Sequence, residues 1–323
     1  MREDLLNEVF QDLQAQQIRN EETEAARRRE IRQGYPAIAA MMERREELIR
    51  EGMRAVLRGE MAAEDLPRKM EEISRGIREG LAAENYPADY LSPVYTCPLC
   101  RDTGYVGDRV REKCGCVRKR YQAKLRQAIG LAENSRETFE HFDPGVFPDR
   151  KAAGETLSQR ETMVRIRRAC ESWADAFPDS VPKNLVLSGK SGLGKTFLLH
   201  AMANRLIERD RNVLLLSAHR FLEIARRSYY ENDGQLEDLI STEALMLDDQ
   251  GSEPMMQNVT VEQLFNLINE RQRRNLSTVI STNLTEDEIR QRYTERIASR
   301  LTDRRSCVFL SLKGTDIRNG RSL

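Results

Sequence analysis

The chain has 323 residues, with 52 basic and 52 acidic side chains and an aromatic share of only 6%. That length suits about two domains, and the balanced charge names no polyanionic partner, so any nucleic-acid surface must be a local patch. No apolar run approaches the roughly 20 residues of a membrane span, and M-R-E-D-L-L-N-E lacks a signal-peptide core. A cytoplasmic location is therefore expected, where the six cysteines would stay reduced.

Residues 1 to about 90 are rich in charge and helix formers. Leu5, Val9 and Leu13 fall at helical spacing, as do Ile38, Met41 and Met42, then Leu48, Ile49, Met53, Val56 and Leu57. Gly34-Tyr35-Pro36 and the stretch 59–67 interrupt the pattern, which predicts two or three helices packed as a hairpin or coiled coil. A partner-binding module and a solvated helical spacer both fit this region.

Residues 91–127 change character. Cys97 and Cys100 form a C-x-x-C, and Cys114 and Cys116 form a C-x-C after thirteen intervening residues. Four thiolates from two knuckles can surround one Zn²⁺ tetrahedrally, with Gly104 and Gly107 serving the tight turns of the hairpin between them. A redox C-x-x-C is the competing reading, but no βαβ pattern surrounds it and the second pair would be left unexplained. No open ligand position is evident, so the expected zinc is structural. From Arg101 to Arg126 nine basic side chains stand against three acidic ones, Asp102, Asp108 and Glu112. Such a ribbon suits a phosphate backbone or an acidic protein face, and a solvated basic helix suits the same residues.

From 128 to 160 the chain reads as a linker, with Phe139, Phe142 and Phe147 as anchors on the following domain and His141 as a packing residue. With three histidines and no recognisable nucleophile motif, triad chemistry finds no support.

Strand and helix patterns then alternate, which predicts a parallel sheet flanked by helices, with strands at 185–188, 213–217, 244–248, 278–282 and 307–312. The first strand runs into G-K-S-G-L-G-K-T-F: Gly189, Lys190, Ser191, Gly192, Leu193, Gly194, Lys195, Thr196 and Phe197. Strand, glycine-rich loop and helix together form a phosphate-binding loop. Its backbone N–H groups cradle phosphate oxygens, Lys195 reaches the β/γ-phosphates and Thr196 offers its hydroxyl to Mg²⁺. Ligands of such sheets sit at the carboxyl ends of the strands. There the third strand presents Asp248, placed to hold Mg²⁺, and Asp249, placed to polarise the attacking water. The fourth presents Asn283, placed to orient that water near the γ-phosphate. ATP and Mg²⁺ are the implied ligands.

The stretch R-F-L-E-I-A-R-R-S-Y-Y after the second strand mixes basic and aromatic groups, as single-stranded DNA contact requires. Arg226, Arg227 and one tyrosine of Tyr229 and Tyr230 carry that reading, while Phe221 fits the core equally well.

G-K-S-G-L-G-K-T, L-D-D-Q-G-S-E, I-S-T-N-L, E-R-I-A-S-R-L-T and T-D-I-R resemble the motifs of the DnaC/DnaI-type bacterial replicative helicase loaders, AAA+ ATPases in a clade shared with the transposition helper IstB. The resemblance runs from about 139 to 320, and the cysteine module is similar to the DnaI-like branch. It implies that Arg300 is an arginine finger acting in trans on a neighbouring subunit, with Arg296 one turn earlier as substitute. It also implies that Arg318 is the sensor-2-like arginine, that the N-terminal region grips a DnaB-type replicative helicase, and that the ATPase domain binds single-stranded DNA. The expected division is 1–90 helical partner-binding region, 91–127 zinc-binding module, 128–160 linker and 161–323 AAA+ ATPase domain. Too few residues follow the last strand for the usual C-terminal helical lid, and Asp249 in place of the usual Glu suits slow hydrolysis. Alternatives are an IstB-like transposition helper, a zinc-ribbon nucleotide-binding adaptor and a small-molecule P-loop kinase; the kinase has no need of Asn283 or Arg300 at these spacings.

Overall fold

The computed structural model describes residues 2–59, 62, 64–107, 110–132, 135–151, 154–231, 234–257 and 259–320. Asp108 and Arg109 of the basic stretch lie outside them. The chain divides into two compact units, Leu6–Val117 and Met1–Leu5 with Arg118–Leu323.

The first unit is built on three helices, α1 (Arg2–Gly34), α2 (Pro36–Leu57) and α3 (Asp65–Ala83). Pro36 opens α2 at a position where a missing N–H costs nothing. Ile31, Ile38, Met42, Ile77 and Leu81 form its buried cluster, rimmed by Tyr35, Tyr86 and Tyr90. The apolar stripe of α2 fades toward its end, where Met53 and Leu57 are exposed. There the helix is approached through Gly52, where a Cβ would lie 2.3 Å from the Leu66 side chain. Close packing at a glycine leaves the larger neighbours facing outward.

The hairpin β1 (Tyr105–Val106) with β2 (Glu112–Lys113) is antiparallel, and α4 (Gly115–Ala128) follows. Gly104 sits at φ +79°, and a side chain there would meet Phe10, Leu13 and Val117. The Phe10 ring stacks on Tyr105 at 5.3 Å. The first turns of α1 thus pack directly on the cysteine hairpin.

The second unit is an α/β sandwich. Its remaining helices are α5 (Gln159–Ala176), α6 (Lys195–Glu208), α7 (Ala218–Glu231), α8 (Gln235–Ser241), α9 (Thr260–Arg273), α10 (Glu286–Tyr293) and α11 (Glu295–Thr302). The strands are β3 (Asn184–Ser188), β4 (Val213–Ser217), β5 (Ala244–Gln250), β6 (Ser277–Thr282) and β7 (Cys307–Ser311). They form one parallel sheet in the order β4-β5-β6-β3-β7. The central strands are buried on both faces because helices cover both, as parallel sheets require. Phe139 and Phe147 are buried in this core, and Ser158 starts α5 with a capping box to Glu161. Cys170 and Cys307 are also buried there, which pushes both thiols up to about 12. Among the described residues, only the 3-10 turn Ile317–Gly320 follows β7.

One buried cation ties the sheet to its helices. Arg271, fully buried on α9, donates to the carbonyls of Leu239, Ile240, Thr242 and Ser277 and to the Thr278 hydroxyl. It closes the carboxyl end of α8, where carbonyls lack helical donors and favour a positive charge. Arg271→Met keeps the stem but strands these carbonyls. We expect a loss on the order of 3 kcal/mol, read as a lower urea midpoint from the fluorescence of Trp173, the only tryptophan. An unchanged midpoint would show that these carbonyls do not depend on the guanidinium.

Candidate functional site

The loop between β3 and α6 is shaped by glycine. Gly192 and Gly194 adopt φ +76° and +89°, which side chains other than glycine rarely tolerate. At Gly189 a Cβ would lie 2.4 Å from the Leu312 carbonyl, so the loop can start only where the backbones of β3 and β7 nearly touch. The Gly189 N–H donates to the Thr282 carbonyl at 3.1 Å, fixing the loop against the end of β6. Lys195 opens α6, and its Nζ lies 2.5 Å from the Gly189 carbonyl and 2.9 Å from that of Lys190. Burial lowers the pKa of this ammonium, while Asp249 and Asp248 pull it back up. Leu193 anchors the loop in the core, Lys190 and Ser191 are exposed, and Phe197 is half-buried.

Thr196 meets Asp248 across the cleft: its hydroxyl lies 3.0 and 3.2 Å from the two carboxylate oxygens. The Ser281 hydroxyl donates to the same carboxylate at 2.5 Å and accepts the Asp249 N–H at 2.9 Å. A register shift between β5 and β6 lies between Leu247 and Gln250, and Asp249 within it stands at φ +57°. This bulge turns two adjacent acids to different tasks, one toward Thr196 and the other into solvent. Asn283 is exposed just past β6, with its Oδ1 3.1 Å from the place a Gly251 Cβ would take.

Arg318 reaches the loop from the far end of the sequence, donating to the Ser191 hydroxyl at 2.9 Å. The Ile317 N–H donates to the Gly192 carbonyl, and the Asp316 carboxylate pairs with Arg318 at 2.8 Å. Beside α6 a cavity of ≈ 260 Å³ is lined by His141, Phe142, Val146, Phe147, Gly194, Phe197 and Ile317, with Asp143 and Arg318 as its charged members. An apolar, aromatic slot next to a phosphate loop suits a purine base. The F-x-x-F-D-P-G-V-F spacing in the supposed linker was its only trace in the sequence. Ser281 was also missed, although a fully buried hydroxyl inside an apolar strand demands a partner.

Arg300 stands apart from this cluster. Its guanidinium donates to Asn269 at 2.8 Å and to the Arg296 carbonyl at 3.2 Å, and lies 4.5 Å from the Phe265 ring centre. Arg296 itself is exposed. On α7, Phe221 is core, whereas Arg226 and Arg227 are exposed and both Tyr229 and Tyr230 reach solvent, their rings edge to face at 5.1 Å.

In the first unit the sulfurs of Cys97, Cys100, Cys114 and Cys116 all lie within 4.8 Å of one another. The separations are 3.8 Å for Cys97 to Cys114 and 3.5 Å for Cys100 to Cys116. Tetrahedral zinc–thiolate bonds of ≈ 2.3 Å require about 3.8 Å between sulfurs, so the cluster fits that metal. The Cys100 backbone N–H pulls the Cys97 thiol down to about 7, while burial pushes Cys100 and Cys116 up. Asp102, 1% exposed, organises the first knuckle. Its carboxylate accepts the N–H groups of Thr96 and Cys97 at 2.8 and 2.7 Å and the Asn20 amide of α1 at 2.8 Å. In the sequence Asp102 counted only as a charge.

Fold and loop together define a parallel α/β protein with a phosphate-binding loop at the carboxyl end of its first sheet strand. Residues 167–322 match the model of the IstB-like ATP binding protein family. The chain is 33% identical over 114 residues to the replicative helicase loader DnaI of Bacillus subtilis, covering 35% of this chain and 37% of that protein. It is 30% identical over 124 residues to the uncharacterized protein YdaV of Escherichia coli, covering 37% of this chain and 49% of that one. The match thus spans less than half the length of either relative. A crystal structure of DnaI superposes with a TM-score of 0.42 at 23% identity, covering 57% of this chain and 94% of that one. The chain is similar to the DnaC/DnaI-type loaders, and no helix among the described residues is long and apolar enough to cross a membrane.

We expect metal analysis of the purified protein to find one zinc per four-cysteine cluster. A Cys97→Ser, Cys114→Ser double variant should lose it, and chelation should unfold the hairpin, because closed thiolate sites contribute folding energy directly. Full zinc content in the double variant would exclude these ligands.

Proposed function

We propose that the chain is an ATP-driven helicase loader, which binds a DnaB-type replicative helicase and delivers it onto single-stranded DNA. The observation that carries the reading is the site built from Lys195, Thr196, Asp248 and Ser281, in a chain that is 33% identical over 114 residues to a replicative helicase loader. The loop amides and Lys195 bind the phosphates, and the aromatic slot orients the base. Mg²⁺ held through Thr196 and Asp248 would neutralise the charge that develops between the β- and γ-phosphates. Asp249 faces the solvent side and takes the proton of the attacking water, with Asn283 orienting that water. Arg318 touches the loop of its own chain, whereas Arg300 finds its partners on α9 and α11. Arg300 is therefore the group offered to a neighbouring subunit.

The three-helix unit is the grip for the helicase, with zinc holding its hairpin. Exposed Arg226, Arg227, Tyr229 and Tyr230 supply the charge and the stacking faces for single-stranded DNA. The IstB-like match supports a second reading, a transposition helper. Capture of the purified helicase by the immobilised full chain decides between them: binding supports the loader, and no binding at micromolar concentrations removes it.

Two variants test the shared site. Lys195→Ala is expected to lose ATP binding. Arg300→Ala should bind ATP normally and hydrolyse it more slowly, on the order of 10³-fold, because a guanidinium against the transferred phosphate is lost. Mixed, each supplies the half that the other lacks, and phosphate release should exceed the sum of the separate variants. A mixture no better than that sum, under conditions where wild type is active, would remove the trans role of Arg300.

A further inference from the structure

Just beyond Asp249 lies a buried polar chain that the nucleotide site does not use. Glu253 is 1% exposed, and its carboxylate accepts the Gly251 N–H at 2.8 Å and the Tyr293 hydroxyl. That hydroxyl in turn accepts the Gln250 amide at 3.0 Å. Tyr293, 1% exposed, is the last residue of α10, and burial followed by the Glu253 contact raises its pKa. Arg292 closes the ring by donating to the Glu253 carbonyl. Both ends of the turn after β5 are thereby fastened to a single phenol.

The placement gives this ring a purpose beyond packing. The turn 249–253 holds Asp249 at φ +57° and Gly251 at φ +108°, and Ser281 and Thr282 fasten its start by bonds to the Asp249 N–H and the Gln250 carbonyl. Within it the Ser252 N–H and hydroxyl both return to the Asp249 carbonyl, at 3.1 and 2.8 Å. On the other side, Thr294 follows Tyr293 at φ +133° and starts α11, the helix that carries Arg296 and Arg300. A buried carboxylate bonded to a phenol and a backbone amide is costly to rearrange, since every partner broken leaves a buried group unpaired.

We propose that Gln250, Glu253 and Tyr293 are positioning residues that couple the hydrolytic turn of one nucleotide site to the arginine helix the same subunit presents to the next. The inference rests on reading Arg300 as a group donated in trans. A shift of Asp249 on nucleotide turnover pulls on Glu253, and through Tyr293 it rotates the pivot between α10 and α11. Each subunit thus reports the state of its own site in the position of the arginine it lends.

The test uses the full chain carrying Tyr293→Phe, which removes one oxygen, with Glu253→Gln as a second variant of nearly the same volume. The expected result is a kcat lower by about tenfold with KM within about twofold, since the groups act on alignment and not on ATP binding. Finger delivery is isolated by placing Tyr293→Phe in a Lys195→Ala chain and mixing it with Arg300→Ala. The only competent site then takes its arginine from the altered helix, and its activity should fall several-fold below the mixture lacking Tyr293→Phe. Hydrogen exchange should rise in both 249–253 and 294–302, with α6 unchanged. Equal activity of the two mixtures, or faster exchange confined to 249–253, overturns the coupling. If wild type releases no phosphate, the function proposed above fails, and the exchange pattern still decides whether turn and helix move together.

Discussion

The Asp248 carboxylate accepts hydroxyls from two different elements, Thr196 at the start of α6 and Ser281 inside β6. The loop before α6 can hold phosphate only while α6 and β5 keep this spacing, and the sheet order fixes it by placing β6 between β5 and β3. Ser281 also takes the Asp249 N–H, so the strand that ends in Asn283 sets the direction of both acids. The register shift after Leu247 belongs to the same arrangement: it places Asp249 at φ +57°, exposed, while Asp248 keeps its two hydroxyl partners.

A second buried carboxylate plays a comparable part in the helical unit. Asp102 turns at φ +60° to gather two N–H groups of the first cysteine knuckle and the amide of Asn20. The long helix α1 and the hairpin are thereby one body. The same carboxylate holds the first knuckle beside the sulfurs of Cys114 and Cys116, within the spacing of a four-thiolate site.

The sheet was legible because parallel strands buried on both faces read as apolar runs, and the strands fall within two residues of the expected limits. The glycine loop and the cysteine spacing were legible because their residues stand close together in sequence, and Asp248 because it follows an apolar strand run. Ser281, Asp102, Tyr293 and the aromatic slot were not, since each acquires its partner only when distant segments meet. Gln17 and Asn20, for instance, reach Asp102 across more than eighty positions. The stripe of α2 misled at Met53 and Leu57 for the opposite reason: periodicity assumes that side chains make the contact, and at Gly52 the backbone makes it.

The six cysteines are divided by environment as well as by sequence. Cys170 and Cys307 are sealed in the α/β core with thiols held near 12, and so stay protonated and shielded from alkylating reagents while that core is folded. The other four stand together, and loss of a metal held among them would unfold the hairpin and lay them open to the reagent. The count of rapidly labelled thiols would then gauge metal occupancy from within the chain, and the late appearance of the last two would mark the unfolding of the α/β core.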